Sequence, residues 1–256
     1  MEPIDLGLVG ARAAVVGAGF LPHRAGFGRA TVLNLARAGA AVACIDINTG
    51  RAEAVAEEVV DLGGKAFPVT GDARDSGDIK RALDEAAENL GGLDVVVDIV
   101  GTAWWGRSAE ESDEDFDAAI RTNLTQVFYT LKAAIPHLTA DPNKRSAFVC
   151  LSSISALQSS RYHAAYGAAK AGVISLVKTF ADEYATQGLR VNAVAPGGGP
   201  LENKDKDIAD AVLFLASKLA SRVTGQLLVV DDGYVMSSVY RDMSEADIAN
   251  KGPAQY

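Results

Sequence analysis

The sequence predicts an α/β fold: one Rossmann-like, doubly wound parallel sheet of about seven strands with helices on both faces. Three observations predict it. Short apolar runs rich in Val, Ala and Ile alternate along the chain with longer stretches whose apolar positions recur at helical spacing. Glycines follow the helical stretches at Gly39, Gly63-Gly64 and Gly91-Gly92, where a left-handed residue ends a helix. Strands joined by helices of this length pair in parallel through right-handed crossovers.

Taken in order, Ala11 to Val16 reads as the first strand and Gly26 to Ala38 as a helix stopped by Gly39. Ala41 to Asp46 is the second strand, Thr49 to Leu62 a helix, and Lys65 to Thr70 the third strand. Ser76 to Leu90 is the next helix; Leu93 to Val100 hardly alternates and so reads as a strand buried on both faces. The rhythm repeats with a long helix from Asp113 to His137, a strand Ala147 to Leu151, a helix Ala164 to Thr186 and a strand Arg190 to Ala195. A helix Asp205 to Ser217 and a strand Gln226 to Val230 complete it. No linker interrupts the pattern, so residues 1–256 are expected to form one domain, with a core of about 8–234 and a tail 235–256. The tail from Met236 is polar, with a helical hint at Glu245 to Asn250, and is a candidate cover for a site.

Composition narrows the partners. The 256 residues are 48% hydrophobic and 22% charged, which excludes a disordered or fibrous chain. The 24 Lys+Arg against 33 Asp+Glu give a net charge of -9, spread over helices and loops, so no nucleic-acid partner is expected. Cys44 and Cys150 lie inside apolar runs and offer neither a disulfide framework nor zinc spacing; no metal is expected. The first residues lack a secretory pattern, and no run approaches the ~18 apolar residues of a spanning helix. A cytoplasmic protein with no membrane partner is the expectation.

In such a sheet ligands sit beyond the carboxyl ends of the strands. The first such loop carries Gly17-Ala18-Gly19 and, after Phe20 to Ala25, Gly26-Phe27-Gly28. Glycines there let backbone N–H groups and a helix N-terminus approach a pyrophosphate, although a Gly-rich turn also arises for steric reasons alone. Asp46, followed by Ile47, ends the second strand, where a carboxylate accepts from ribose hydroxyls and repels a 2′-phosphate; the plainer reading is a helix cap. This favours NAD over NADP, with Arg24 and Arg51 keeping the alternative open. Asp72, beside Ala73, is placed to accept from an adenine amino group or simply to make a turn. Tyr166 and Lys170 stand one helical turn apart, and Ser153 lies at the mouth of the preceding strand. A phenol with pKa near 10 becomes a usable base when a neighbouring Lys⁺ favours phenolate; otherwise the pair is a surface contact that steadies a helix.

These residues resemble the classical branch of the short-chain dehydrogenase/reductase family, from Leu8 to about Tyr234. Tyr166 and Lys170 match its Y-x-x-x-K, Ser153 its serine, and Asn123 in Arg121-Thr122-Asn123-Leu124 the asparagine of its fourth helix. Pro196-Gly197 after Val191-Asn192-Ala193-Val194 matches its Pro-Gly, and Val223 to Gln226 with Val230 to Gly233 resembles its last strand motif. The resemblance implies hydride transfer between a nicotinamide and a secondary alcohol or ketone. Tyr166 would be the general acid/base, Ser153 would polarise the substrate oxygen, Lys170 would bind the nicotinamide ribose and depress the Tyr166 pKa, and Asn123 would hold a relay water. Gly17, Gly19, Gly26, Phe27, Gly28, Asp46, Ile47, Asp72, Ala73, Gly101, Tyr166, Lys170, Pro196 and Gly197 would line the cofactor. It also implies a homo-oligomer, tetramer or dimer, built through the two long helices, with Ala168, Ala169, Ala171 and Gly172 permitting close approach.

Four departures stand out. Eight residues separate Gly17 from Gly26 where the family has three, an insertion containing Pro22, His23 and Arg24. Enoyl reductases of the superfamily also lengthen this loop, but space their tyrosine and lysine more widely than here. The family's Asn-Asn-Ala-Gly is replaced by Asp98-Ile99-Val100-Gly101, which brings in a carboxylate. The substrate lid after Pro196-Gly197 is nearly missing, and the tail is longer than usual. Trp104 and Trp105, with Leu157, Gln158 and Tyr162, suggest an apolar wall suited to a hydrophobic, aromatic or cyclic substrate; the alternative reading of the tryptophans is packing between helices, and His163 reads as a helix-start residue. The competing reading is a catalytically weak dinucleotide-binding regulator or structural homologue.

Overall fold

The computed structural model describes residues 4–21, 26–103, 105–141, 143–197 and 204–236. Seven parallel strands form one sheet in the order β3-β2-β1-β4-β5-β6-β7. They are β1 (Arg12–Val16), β2 (Ala41–Asp46), β3 (Lys65–Thr70), β4 (Val95–Asp98), β5 (Ser146–Leu151), β6 (Leu189–Pro196) and β7 (Leu227–Val230). The helices are α1 (Phe27–Arg37), α2 (Thr49–Asp61), α3 (Ser76–Leu90), α4 (Asp113–Ile120), α5 (Gln126–Leu138), α6 (Ala164–Tyr184) and α7 (Lys204–Ala216).

Alternation along each strand divides the core. Ala14 and Val16 of β1 point into a cluster with Ile79 and Leu83 of α3, Leu131 of α5 and Val173 of α6. Ala13 and Val15 point the other way, onto Leu35 of α1, Val59 of α2 and Val212 of α7. Because β4 and β5 are buried at every residue, each face of the sheet must be covered, and it is. Local signals fix the ends. Asp75 caps α3 by accepting from Gly77 and Asp78 N–H, and Gly91 closes it in the left-handed conformation at φ 75. Buried Arg190 caps the other end of the fold, donating to the carbonyls of Leu215, Ala216 and Ser217 that α7 leaves unpaired.

Two elements differ from expectation. β4 is shorter than Leu93 to Val100: Asp94 and Ile99 still donate from backbone N–H to the neighbouring β1, but past them the chain turns away, with Val100 N–H bending back to Asp98 Oδ1. The long helix of Asp113 to His137 is broken by a π turn, Arg121–Thr125, where Gln126 N–H donates five residues back to Arg121 and the Asn123 amide donates to the Ala119 carbonyl. Cys44 and Cys150 are free and buried, and burial pushes the Cys44 thiol up to about 12. Among the described residues no helix is long and apolar enough to cross a membrane.

The sheet order reverses direction between β1 and β4, which lie side by side while their following helices leave toward opposite faces. The crevice opens there, beyond the carboxyl ends of the strands.

Candidate active site

The loop leaving β1 is held by backbone. Gly17 and Ala18 N–H both donate to the Ile45 carbonyl, at 2.8 and 3.0 Å. Gly17 adopts φ +81, and a Cβ on Gly28 would overlap the Gly17 carbonyl oxygen, so α1 starts in direct contact with the turn. Gly19 N–H donates to Asp46 Oδ2 at 3.0 Å while Asn48 N–H donates to Oδ1 at 2.9 Å, which orients the carboxylate at the end of β2. Arg51 packs beside Gly19 and exposed Ile47 follows Asp46. The carboxylate of Asp72 is taken by Arg74, whose guanidinium holds it below its ordinary pKa, and Ala73 is buried behind it. Pro22, His23 and Arg24 lie outside the described residues.

One contact escaped the sequence reading. Asp205, in the first turn of α7, accepts from Gly26 N–H at 2.7 Å, at the N-cap position of α1. A carboxylate thus stands at the helix end that a pyrophosphate would approach.

The end of β5 and the start of α6 bring Ser153, Tyr166 and Lys170 together. Ser153 precedes a short 3-10 turn, accepts from Ser155 N–H at 3.1 Å, and stands close enough to the Tyr166 phenol to act on its pKa. Lys170 Nζ lies 5.9 Å from the Tyr166 ring centroid and donates to the Leu151 carbonyl at 2.9 Å. Ser152 Oγ donates to the Lys170 carbonyl, tying helix to strand. The expectation that Lys170 depresses the phenol's pKa needs correction: burial raises it above the ordinary value, and the opposing effect comes from the neighbouring Ser153 hydroxyl. Burial also lowers Lys170 to about 8, against the charges of Asp98 and Cys150, and raises Asp98 to about 6.

The loop after β4 closes over this group. A Cβ on Gly101 would stand 3.0 Å from both Asn123 Oδ1 and Lys170 Nζ. Asn123 accepts from Thr102 N–H and donates to the Thr102 and Ala119 carbonyls, so both of its amide hydrogens are used in pinning the loop. A relay water therefore finds no spare side-chain N–H on Asn123.

Aromatic rings line the approach. The Trp105 and His163 centroids are 3.7 Å apart, and His163 lies 5.2 Å from Tyr166. His163 is the N-cap residue of α6, as expected, but it also links tryptophan to tyrosine. Tyr162 is held at φ 66 and its carbonyl accepts from Gly106 N–H; Leu157 is exposed, followed by half-buried Gln158 across the mouth. Trp104 lies outside the described residues. Gly197, after Pro196, donates to the Val230 carbonyl and abuts Asp231 so closely that a Cβ would overlap it. Six residues outside the description separate Gly197 from Lys204, where α7 starts; the tail beyond Met236 is outside it too. In α6, Ala168 and Ala171 face outward, whereas Ala169 is buried and Gly172 packs on Leu124, so only the first two are open to a partner helix.

A second cavity, about 330 Å³, lies at the opposite ends of β5 and β6, lined by Lys144, Arg145, Arg190 and Arg222. Arg145 and Arg190 are tied there to backbone carbonyls that they cap.

Comparison with known proteins agrees with this arrangement. Residues 12–206 match the family model described as short chain dehydrogenase. The 3-oxoacyl-acyl-carrier-protein reductase FabG of Thermotoga maritima is 32% identical over 82% of this chain and 94% of its own. The cyclohexanol dehydrogenase of an Acinetobacter strain is 34% identical over 87% of this chain and 94% of its own. A short-chain dehydrogenase/reductase structure from Burkholderia xenovorans superposes with TM-score 0.84 at 30% identity, covering 90% of this chain and 98% of the other. With its fold, its crevice and its Tyr-Lys helix in place, this chain belongs to the short-chain dehydrogenase/reductase family of oxidoreductases.

Proposed function

We propose that the protein is an NAD-linked oxidoreductase that interconverts a secondary alcohol and a ketone on a hydrophobic, cyclic or aromatic small molecule. The observation that carries the reading is the grouping of Ser153 at the end of β5 with Tyr166 and Lys170 one turn apart on α6, Lys170 Nζ 5.9 Å from the Tyr166 ring, at the crevice that Asp46 flanks. The glycine contact between Gly17 and Gly28 and the acceptor at Asp46 fit a dinucleotide. When bound, the nicotinamide supplies or receives the hydride.

The chain's own residues do the rest. Tyr166, its pKa raised, keeps its proton at neutral pH and donates it to the carbonyl oxygen during reduction; oxidation requires the phenolate form, which takes up the alcohol proton. Ser153 Oγ donates to the same oxygen as negative charge develops there. Lys170 is placed to meet the ribose hydroxyls. Asp46 accepts from the adenosine ribose and disfavours a 2′-phosphate, with Arg51 nearby as an opposing charge. Trp105, His163 and Leu157 offer a largely aromatic and apolar wall, and relatives with cyclic substrates in their names, cyclohexanol dehydrogenase and the cis-4-hydroxycyclohexanecarboxylate dehydrogenase of Sinomonas cyclohexanicum, make a ring the first choice. A homo-oligomer through α5 and α6 accords with the exposed Phe128 beside Phe180.

The test is reduced-nicotinamide absorbance with cyclohexanol and cyclohexanone, each cofactor in turn, for the wild type and Tyr166→Phe. Turnover with NAD(H) that disappears in Tyr166→Phe, while NADH still binds, supports the reading. Cofactor binding without turnover on any alcohol or ketone favours the regulator instead.

A further inference from the structure

Asp98 is a charged residue in a place where the fold offers a charge almost nothing. It ends β4 between Val16 of β1 and Cys150 of β5, and 1% of its surface is exposed. Its Oδ1 accepts from Val100 N–H at 3.1 Å. Its Oδ2 is buried without a hydrogen-bond partner, and so are Gln126 Oε1 and Thr130 Oγ1, the two polar groups of α5 that face it. Both stand close enough to favour the charged carboxylate, yet neither completes a bond of good geometry. The Gln126 amide donates instead to the Val100 carbonyl at 3.1 Å, which fixes the loop on the far side of Asp98.

A buried carboxylate with one backbone hydrogen bond persists only when a cation compensates it. The titratable groups that face it are Lys170 from α6 and Cys150 from β5. Lys170 has the complementary need. It is 2% exposed, its Nζ is bonded to the Leu151 carbonyl, and the carboxylate whose charge reaches it is Asp98. Leu151 adjoins Cys150, the strand partner of Asp98, so the two charges stand on neighbouring strand ends.

We propose that Asp98 is a positioning residue, the buried counter-charge that holds Lys170 in its ammonium form and pointed at the crevice. The proposal rests on the active site assigned above and adds to it a residue that neither the Y-x-x-x-K pattern nor the serine identifies. Below about 6 the carboxylate is mostly protonated and above about 8 the ammonium is mostly deprotonated, so both partners are predominantly charged only around the middle of that range. Asp98 therefore acts on Lys170 within the neutral range.

The experiment titrates Lys170 directly in the cofactor-free protein, by NMR of lysine labelled with carbon-13 at Cε, with the Lys170 signal identified by its absence in Lys170→Met. In Asp98→Asn, which keeps the shape, the Lys170 midpoint should fall by about one pH unit, a tenfold change in its acid constant. The ratio of NADH dissociation constants, variant over wild type, should grow from pH 6 to pH 8. Thr130→Val, a milder change on the far side of the carboxylate, should move the midpoint the same way by less, and it decides the matter if Asp98→Asn does not fold. An unmoved Lys170 midpoint overturns the proposal. A midpoint that moves in a protein with no alcohol or ketone turnover leaves Asp98 in this role and removes the reaction; turnover with an unmoved midpoint does the reverse.

Discussion

Replacing Asp205 by Asn tests whether the start of α1 receives a pyrophosphate. Asp205 Oδ2 accepts from Gly26 N–H at 2.7 Å, so its negative charge stands at the N-terminus of α1. A dinucleotide bound there must displace that carboxylate or tolerate it. A hydrogen bond to a charged group contributes about 1.5–3 kcal/mol and a neutral one about 0.5–1.5, so the substitution weakens the competing contact by roughly 1 kcal/mol. Removing a like charge some ~5 Å from the pyrophosphate, at an effective dielectric of roughly 40 for this half-exposed site, adds about 1–2 kcal/mol. Together these give about 2–3 kcal/mol, or roughly 30- to 150-fold tighter NADH binding. The same loss should lower the melting temperature by about 2–4 °C, because the anion at the helix N-terminus is gone. Isothermal titration with NADH and a thermal melt on the same sample read both. An unchanged or weaker NADH affinity with a lowered melting temperature would refute the reasoning: Asp205 would then be a cap alone, and the pyrophosphate would lie elsewhere.

Two further outcomes follow from the same geometry. Gly28→Ala puts a methyl group against the Gly17 carbonyl, so it should cost about 1–3 kcal/mol of stability and abolish NADH binding, checked by melt and titration; near-native binding contradicts the contact between helix and turn. Ketone reduction needs the Tyr166 proton and the Lys170 charge together, so kcat/KM for reduction should be flat between about 6 and about 8 and fall above it as Lys170 deprotonates; a rate that goes on rising with pH contradicts that assignment.

The order of strands and helices was legible because burial on both faces of the sheet writes itself as unbroken apolar runs, as in Val95-Val96-Val97, and helix ends write themselves as Gly91 or Asp75. Ser153, Tyr166 and Lys170 were legible for a different reason: one strand end and one helix turn carry all three, so spacing along the chain is nearly spacing in the site. The contact of Asp205 with Gly26 joins residues 179 apart in sequence, and no local pattern announces it. The tilted contact of Trp105 with His163 depends in the same way on how two loops meet. The phenol's raised pKa was misjudged because charge proximity is visible in a Tyr-Lys spacing while desolvation is visible only once the walls are built. The π turn was hidden because Arg121-Thr122-Asn123-Leu124-Thr125 fits an uninterrupted helical period; its cause is the Asn123 side chain replacing a backbone bond.

That turn has a rotational meaning. Each residue of an α-helix advances the side-chain direction by about 100°, so one residue accommodated in a wider turn re-aims everything after it. Upstream, α4 leans on α6; downstream, α5 packs on α3 and sends Gln126 and Thr130 toward Asp98. A straight helix of the same sequence can satisfy one of those orientations and not both. The segment Arg121–Thr125 thus works as a fixed angular offset between two bearings, and the chain length through it is a geometric constant of the site: losing one residue there would swing the α5 groups off the buried carboxylate while leaving every residue around Tyr166 unaltered.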